Sequence, residues 1–324
     1  MKKVLKFKVI ALALFAAVFI SCDNADDPPA VVDTTITGVA SSNPNLKILV
    51  QALTRADLAA ALKTSGKFTV FAPTDAAFVT FLRANNFADI NAVPVAALKE
   101  ILLNHVVNGE AKAASLTTSY IKTLGKGTAS VTNTLSMYVN VSTAGVKLNG
   151  VSSVTTADVM ASNGVIHIVD AVIGLPTIVT HASANPNFSS LVAALTGPGQ
   201  PAFTTTLAGT GPFTVFAPIN AAFTALNTEL APGGIVSVSA ANLTRVLQYH
   251  VVSPANLLAV SLMEGQVVTP ILTPAQTFTV LLAGGAKIRD ARARVTIIVA
   301  TDVQCSNGVI HVLDKVLLPV FPAN

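Results

Sequence analysis

Leu46, Leu49, Val50 and Leu53 recur at three- and four-residue spacing, which predicts a helix with one apolar face. A second stripe, Leu98, Ile101, Leu102, His105 and Val106, begins just after Pro94, a residue suited to a first helical turn, and Leu243, Val246, Leu247, His250 and Val251 repeat it. Beyond each stripe the spacing changes to two. Met137-Tyr-Val-Asn-Val141 and Val165-Ile-His-Ile-Val169, rich in β-branched residues and bounded by turn residues, predict antiparallel strands. Asn163-Gly164 and Asn307-Gly308 predict hairpin turns, because Asn-Gly tolerates positive φ at both central positions. Phe68 to Pro73 reads as a strand that stops at the proline and passes straight into a short helix carrying Phe78.

The pattern occurs twice. Phe68-Thr-Val-Phe-Ala-Pro-Thr-Asp-Ala-Ala-Phe78 returns as Phe213-Thr-Val-Phe-Ala-Pro-Ile-Asn-Ala-Ala-Phe223, with nine of eleven positions identical at an offset of 145. Ser162-Asn-Gly-Val-Ile-His167 returns unchanged as Ser306-Asn-Gly-Val-Ile-His311. Asn104-His-Val-Val107 is answered by Tyr249-His-Val-Val252, and Asn43-Pro-Asn45 by Asn185-Pro-Asn187. Matched blocks in one order at near-constant spacing divide the chain into two homologous domains, and so long a period marks tandem globular units rather than a solenoid. Asp75 in one copy faces Asn220 in the other; both accept hydrogen bonds, so the shared expectation is an N-cap on the following helix rather than a catalytic carboxylate.

These motifs, Thr-Val-Phe-Ala-Pro with Ala-Ala-Phe, then His-Val-Val, then Asn-Gly-Val-Ile-His-x-x-Asp-x-Val, resemble the fasciclin domain across residues 34–176 and 177–321. The resemblance implies an α+β fold in which each domain is a wedge-shaped antiparallel β-sandwich with several packed helices. It also implies a secreted or membrane-anchored protein that acts in cell adhesion or in matrix or glycan contact, not in catalysis. A Tyr-His motif tied to adhesion in some family members is matched by Tyr249-His250, whereas Asn104-His105 lacks the tyrosine.

At the N-terminus, the basic residues Lys2, Lys3, Lys6 and Lys8 precede an apolar run from Val9 to Ile20. A dozen helical residues reach only about 18 Å against a hydrocarbon core of about 30 Å, so residues 1–21 read as a signal peptide rather than a span. Phe19-Ile-Ser-Cys22 resembles the lipobox of bacterial lipoproteins, which implies acylation of Cys22 and an envelope location, at the outer membrane as either a surface or a periplasmic protein. Residues 22–33 carry Asp23, Asp26, Asp27, Pro28 and Pro29 and read as an extended acidic tether, a plain solvated linker or a surface-export signal.

Removing the four leading lysines leaves 16 Lys+Arg against 16 Asp+Glu, since the whole chain has 20 and 16; nothing in that balance favours nucleic acid. With 52% hydrophobic residues and two cysteines, the chain is neither disordered nor a disulfide scaffold. No nucleophile elbow, zincin motif or phosphate loop is present, so no cofactor, metal or catalytic residue is expected. His167-x-x-Asp170 and His311-x-x-Asp314 place His and Asp on opposite faces of a strand and are therefore read as packing elements rather than ligands. His105 and His250 are read as semi-buried residues that cap carbonyls or join helix to sheet, and Cys305, which stands where the first copy has Ala161, as a small buried hydrophobe.

One feature separates the copies: Lys287, Arg289, Arg292 and Arg294 crowd four cations into eight residues where the first copy has only Lys147. A hairpin there would present a compact basic patch, either a solvated face guarding a strand edge or a contact for an anionic glycan or acidic protein. Function is accordingly expected to be non-enzymatic adhesion to a cell-surface or matrix protein or polysaccharide, with the membrane reached only through the lipid anchor. The alternative is a ligand-binding accessory that captures glycans or small apolar molecules, which would show a pocket within one domain.

Overall fold

The computed structural model describes residues 32–235 and 238–322; the signal peptide, Cys22 and nearly all of the acidic stretch lie outside the described residues. The first copy runs α1 (Ile36–Ser42), α2 (Lys47–Arg55), β1 (Phe68–Pro73), α3 (Asp75–Ala84), α4 (Val95–Leu103), β2 (Val106–Asn108), β3 (Ser119–Gly127), β4 (Ser130–Ser142), β5 (Gly145–Leu148), β6 (Ser152–Ala161) and β7 (Gly164–Val169). The second runs α5 (Ile178–Ala184), α6 (Ser189–Thr196), α7 (Phe203–Ala208), β8 (Phe213–Pro218), α8 (Asn220–Glu229), α9 (Ala240–Tyr249), β9 (Val251–Val252), β10 (Val267–Val268), β11 (Phe278–Leu281), β12 (Lys287–Arg289), β13 (Val295–Cys305) and β14 (Gly308–Leu313).

Among the described residues each copy forms a seven-stranded sheet, ordered β2-β1-β7-β6-β5-β4-β3 and β10-β11-β12-β13-β14-β8-β9. The sheets are mixed rather than wholly antiparallel. β1 pairs parallel with β7 in the register Phe71↔His167, and β8 pairs parallel with β14 in the register Phe216↔His311. Parallel pairing needs a long crossover, and here the later helices (α3 and α4, or α8 and α9) and the strand meander of each copy lie between the two strands.

Alternation along β1 supplies two cores at once. Val70 and Ala72 join Leu49, Leu53, Phe78, Leu98 and Leu102 under the helices, whereas Phe71 points the other way to Met137, Val139, Leu148 and Val169. β1 and β4 are far apart in strand order yet share that second core, so the sheet folds over on itself into a sandwich. β8 repeats the arrangement, with Val215 and Ala217 beneath its helices and Phe216 in the sandwich layer with Tyr249, Phe278 and Ile298.

The two copies are docked. Gln304 N–H donates to Ser136 Oγ at 3.0 Å, Lys122 Nζ to the Asp302 carbonyl at 2.7 Å, and Ala129 N–H to the Ser306 carbonyl at 2.9 Å. A Cβ on Gly127 would fall 2.3 Å from Ser306 Cα, so glycine permits this approach.

Candidate functional site

The four matched histidines are all buried and hold backbone groups. His105 follows α4, where its Nδ1 donates to the Ile101 carbonyl at 2.7 Å and its Nε2 accepts the Ile173 N–H at 2.9 Å. His250 follows α9 and does the same with the Val246 carbonyl at 2.7 Å and the Leu317 N–H at 2.9 Å. One ring nitrogen gives and the other receives, which fixes the neutral imidazole with its proton on Nδ1. Burial, only partly offset by the carbonyl bond, holds both rings down at about 4. Each imidazole thus ties the end of a helix to the segment that follows the last strand of its domain.

His167 and His311 lie on β7 and β14, stacked on Phe71 at 5.5 Å and Phe216 at 5.3 Å between ring centres. Nε2 donates to the Ala111 carbonyl in the first case and the Leu257 carbonyl in the second. The nearby aspartates work on the backbone elsewhere: Asp170 accepts the Ser153 N–H and Asp314 the Ile297 N–H. His and Asp are therefore divided between separate tasks, as opposite strand faces require. Among the described residues no three His, Cys, Asp or Glu side chains converge as a metal site would need.

The Tyr-His pair is inaccessible, which corrects the expectation that it offers a contact surface. Tyr249 has no exposed area; its hydroxyl donates to the Thr277 carbonyl at 2.6 Å and accepts the Ala291 N–H at 3.0 Å, and burial pushes it up to about 12. In the first copy Asn104 performs the matching task, donating to the Gly174 carbonyl and accepting from Thr123. Tyr and Asn are thus two solutions to pinning the same helix end.

Asp75 and Asn220 require a second correction. The residues capping α3 and α8 are Thr74 and Ile219, and Asp75 and Asn220 occupy the next position. Asp75 Oδ1 accepts the Ile48 N–H of α2 at 2.7 Å and Asn220 Oδ1 the Ser190 N–H of α6 at 2.9 Å. They do serve a first helical turn, but that of another helix, clamping two helices together.

The hairpins form, but with Ser162-Asn163 and Ser306-Asn307 as their central pairs rather than Asn163-Gly164 and Asn307-Gly308. Asn163 donates to the Leu62 and Thr64 carbonyls and accepts the Ile36 N–H; Asn307 donates to Leu207 and Gly209 and accepts from Ile178. The glycines serve a packing need. A Cβ at Gly164 would stand 2.0 Å from the Phe68 carbonyl oxygen, and one at Gly308 2.2 Å from that of Phe213, so only glycine admits the parallel neighbour strand.

The four-cation cluster is not one open patch, a third correction: Arg294 is ion-paired within the fold, while Arg289 and Arg292 stay exposed. Arg294 pairs with Glu229 at 2.8 Å, reaches Asp290 at 3.4 Å and donates to the Val316 carbonyl. Arg292 donates to the Pro319 carbonyl and lies 4.6 Å from the centre of the Phe321 ring. Lys287, which touches the Ala283 carbonyl, and exposed Arg289 keep their charge beside β13, and Arg292 is exposed over the Phe321 ring. Cys305 is a buried free thiol, raised far above the ordinary range by burial, as its match to Ala161 implied.

His181 has no counterpart in the repeats, and the sequence carried no signal for it. It is fully buried on α5 against the edge of Tyr120, 5.3 Å between ring centres, and burial holds it at about 3. Tyr120 accepts from Asn185, so this pair lines the seam between the copies.

Open space is limited. A cavity of about 30 Å³ lies in the second helical core between Phe188, Leu191, Val215 and Leu247, room for a water or two. Two shallow grooves, of about 490 Å³ beside Phe223 and Leu243 and about 430 Å³ beside Gly150 and Ala184, have no ionisable side chain in their lining.

The fasciclin-domain family model matches residues 44–176 and 186–319, which together take in most of the chain and coincide with the two sheets. The chain belongs to the fasciclin family. Protein sll1483 of Synechocystis is 37% identical over 145 residues, 44% of this chain and 73% of that protein. Immunogenic protein MPB70 of Mycobacterium bovis is 32% identical over 145 residues, 43% and 66% respectively. Mouse stabilin-1 is 30% identical over 181 residues, 52% of this chain but 7% of its own length. The solved domain pair from the insect cell adhesion molecule fasciclin I superposes with a TM-score of 0.52 at 20% identity, over 84% of this chain and 96% of that one, and so shares its fold of two tandem fasciclin domains. Among the described residues no helix is long and apolar enough to cross a membrane.

Proposed function

We propose that this protein is a non-enzymatic adhesion module held at the cell envelope through an acylated Cys22, presenting two docked fasciclin domains to a protein or glycan of another surface. The observation that carries the reading is the commitment of the family's polar residues to the backbone. His105, His250, Tyr249, Asn163 and Asn307 have their hydrogen-bonding capacity engaged inside the fold, which supports a rigid display scaffold rather than a reactive cleft. A fold shared with a named cell adhesion molecule supports the same direction. Capture of an apolar molecule is the weaker reading, because the enclosed cavity of about 30 Å³ is far below a usual ligand site and the two larger spaces are open, shallow grooves rather than pockets that would bury a ligand.

Two measurements test this. Labelled fatty acid is expected to enter the wild type and not Cys22→Ser. Protease shaving of intact cells is expected to remove the fasciclin domains; protection of the protein in intact cells, or turnover of a substrate abolished by His250→Gln with folding intact, would sink the proposal.

A further inference from the structure

On β13 the side chains alternate: Thr296 and Ile298 point inward and are buried, whereas Val295, Ile297 and Val299 point outward and are 40%, 47% and 53% exposed. β13 lies between β12 and β14, so its outward row sits within a sheet face rather than along an edge. The first copy is polar at two of the three matching places and keeps an exposed Val151 opposite Val295. The bonds Asp170 to Ser153 N–H and Asp314 to Ile297 N–H align Ser153 with Ile297, and therefore Thr155 with Val299. One fold thus carries Val, Ser and Thr along this face in one copy and Val, Ile and Val in the other, so the apolar row is extended only in the second. Exposed β-branched apolar residues in a continuous row mark a covered surface more often than an idle one.

The strand register sets charge beside that row. Lys287 pairs with Ile297 and Arg289 with Val295, and paired residues share a face. Lys287 reaches only a neutral carbonyl, and the Arg289 side chain makes no hydrogen bond or ion pair among the described residues. Of the nearby carboxylates, Asp314 is engaged with the Ile297 N–H and Glu264 with the Leu282 and Ala283 N–H groups, so neither forms an ion pair with Lys287 or Arg289. We propose that this face, with Val295, Ile297 and Val299 in one row and Lys287 and Arg289 in the next, docks an acidic protein surface. The inference deepens the adhesion reading and rests on it.

Charge complementarity selects the occupant. Apolar groups repeat about every 7 Å along the row, with cations about 5 Å to the side, a spacing matched by aliphatic and carboxylate side chains of another protein. Sugar rings are held by exposed aromatic faces, and here the chain has no Trp, Tyr138 and Tyr249 are buried, and Tyr120 lies in the seam. A surface that lies in the bilayer interface presents a broad apolar face carrying Trp, Phe or Leu, whereas this row offers three β-branched side chains.

The test immobilises a random copolymer of glutamate and leucine and measures retention of the full chain, Ile297→Ser/Val299→Thr, and Lys287→Ser/Arg289→Ser. The first variant installs residues the first copy already carries, and the second alters only the surface. Each is expected to bind at least about tenfold more weakly than wild type, with the salt dependence between about 50 and 500 mM reduced in the second. Equal retention of wild type and Ile297→Ser/Val299→Thr would overturn the proposal. So would equal affinity of wild type for poly-glutamate, alginate or phosphatidylglycerol vesicles, or a dimer in solution that this variant abolishes, which would assign the face to self-association. Beads coated with wild type and with this variant are also scored for cell capture. Capture by neither sinks adhesion itself, whereas equal capture by both sinks only the docking face.

Discussion

Acidification is the perturbation that most directly tests the role of His105 and His250. Their folded-state values of about 4 lie below the ordinary 6.5, because the buried ring must stay neutral to accept the Ile173 or Leu317 N–H. The unfolded chain therefore binds more protons than the folded one between about pH 4 and 6.5, and stability rises with pH across that window. At pH 5 an unfolded histidine is almost wholly protonated while the folded one is about nine-tenths neutral, which costs about 2 kcal/mol per ring, about 4 kcal/mol for the pair and about 6 kcal/mol once buried His181, held at about 3, is added. Urea unfolding followed by far-ultraviolet circular dichroism at pH 7.5 and pH 5.0 is expected to show that loss, and imidazole resonances of the folded protein should titrate near pH 4. A denaturation midpoint unchanged between the two pH values, or either ring titrating between pH 6 and 7 in the folded protein, would refute the reasoning.

Three further outcomes follow from the same geometry. Tyr249→Phe leaves the Thr277 carbonyl and Ala291 N–H without their partner and should cost about 1–3 kcal/mol by urea midpoint, without altering cell capture. Asn307→Ala removes three bonds that hold α5 to the α7–β8 connection and should cost at least about 2 kcal/mol, while Asn256→Ala, whose partner Gln304 keeps two backbone bonds, should cost less. Gly127→Val drives a side chain into Ser306, so dyes placed on the two domains should move apart in energy transfer while each domain keeps its own circular dichroism.

What the amino-acid order determined by itself was everything set by local period and by copy-to-copy matching. The helical stripes, the strand that ends at Pro73 and runs into α3, the hairpins at Asn163 and Asn307, and the division into two domains all follow from side chains interacting within a few positions of one another. Even the burial of the four matched histidines was legible, because each stood on an apolar face. Tertiary structure alone decided where long-range bonds end. Asp75 and Asn220 accept from helices 27 and 30 residues earlier, β1 meets β7 in parallel because of how the sheet closes, and Arg294 finds Glu229 across 65 residues and so leaves the surface. A side chain's chemistry states what it is able to bind, but which donor it reaches depends on packing between distant segments, and no local pattern encodes that distance. His181 shows the limit most plainly, since the Tyr120 ring that covers it belongs to the other domain.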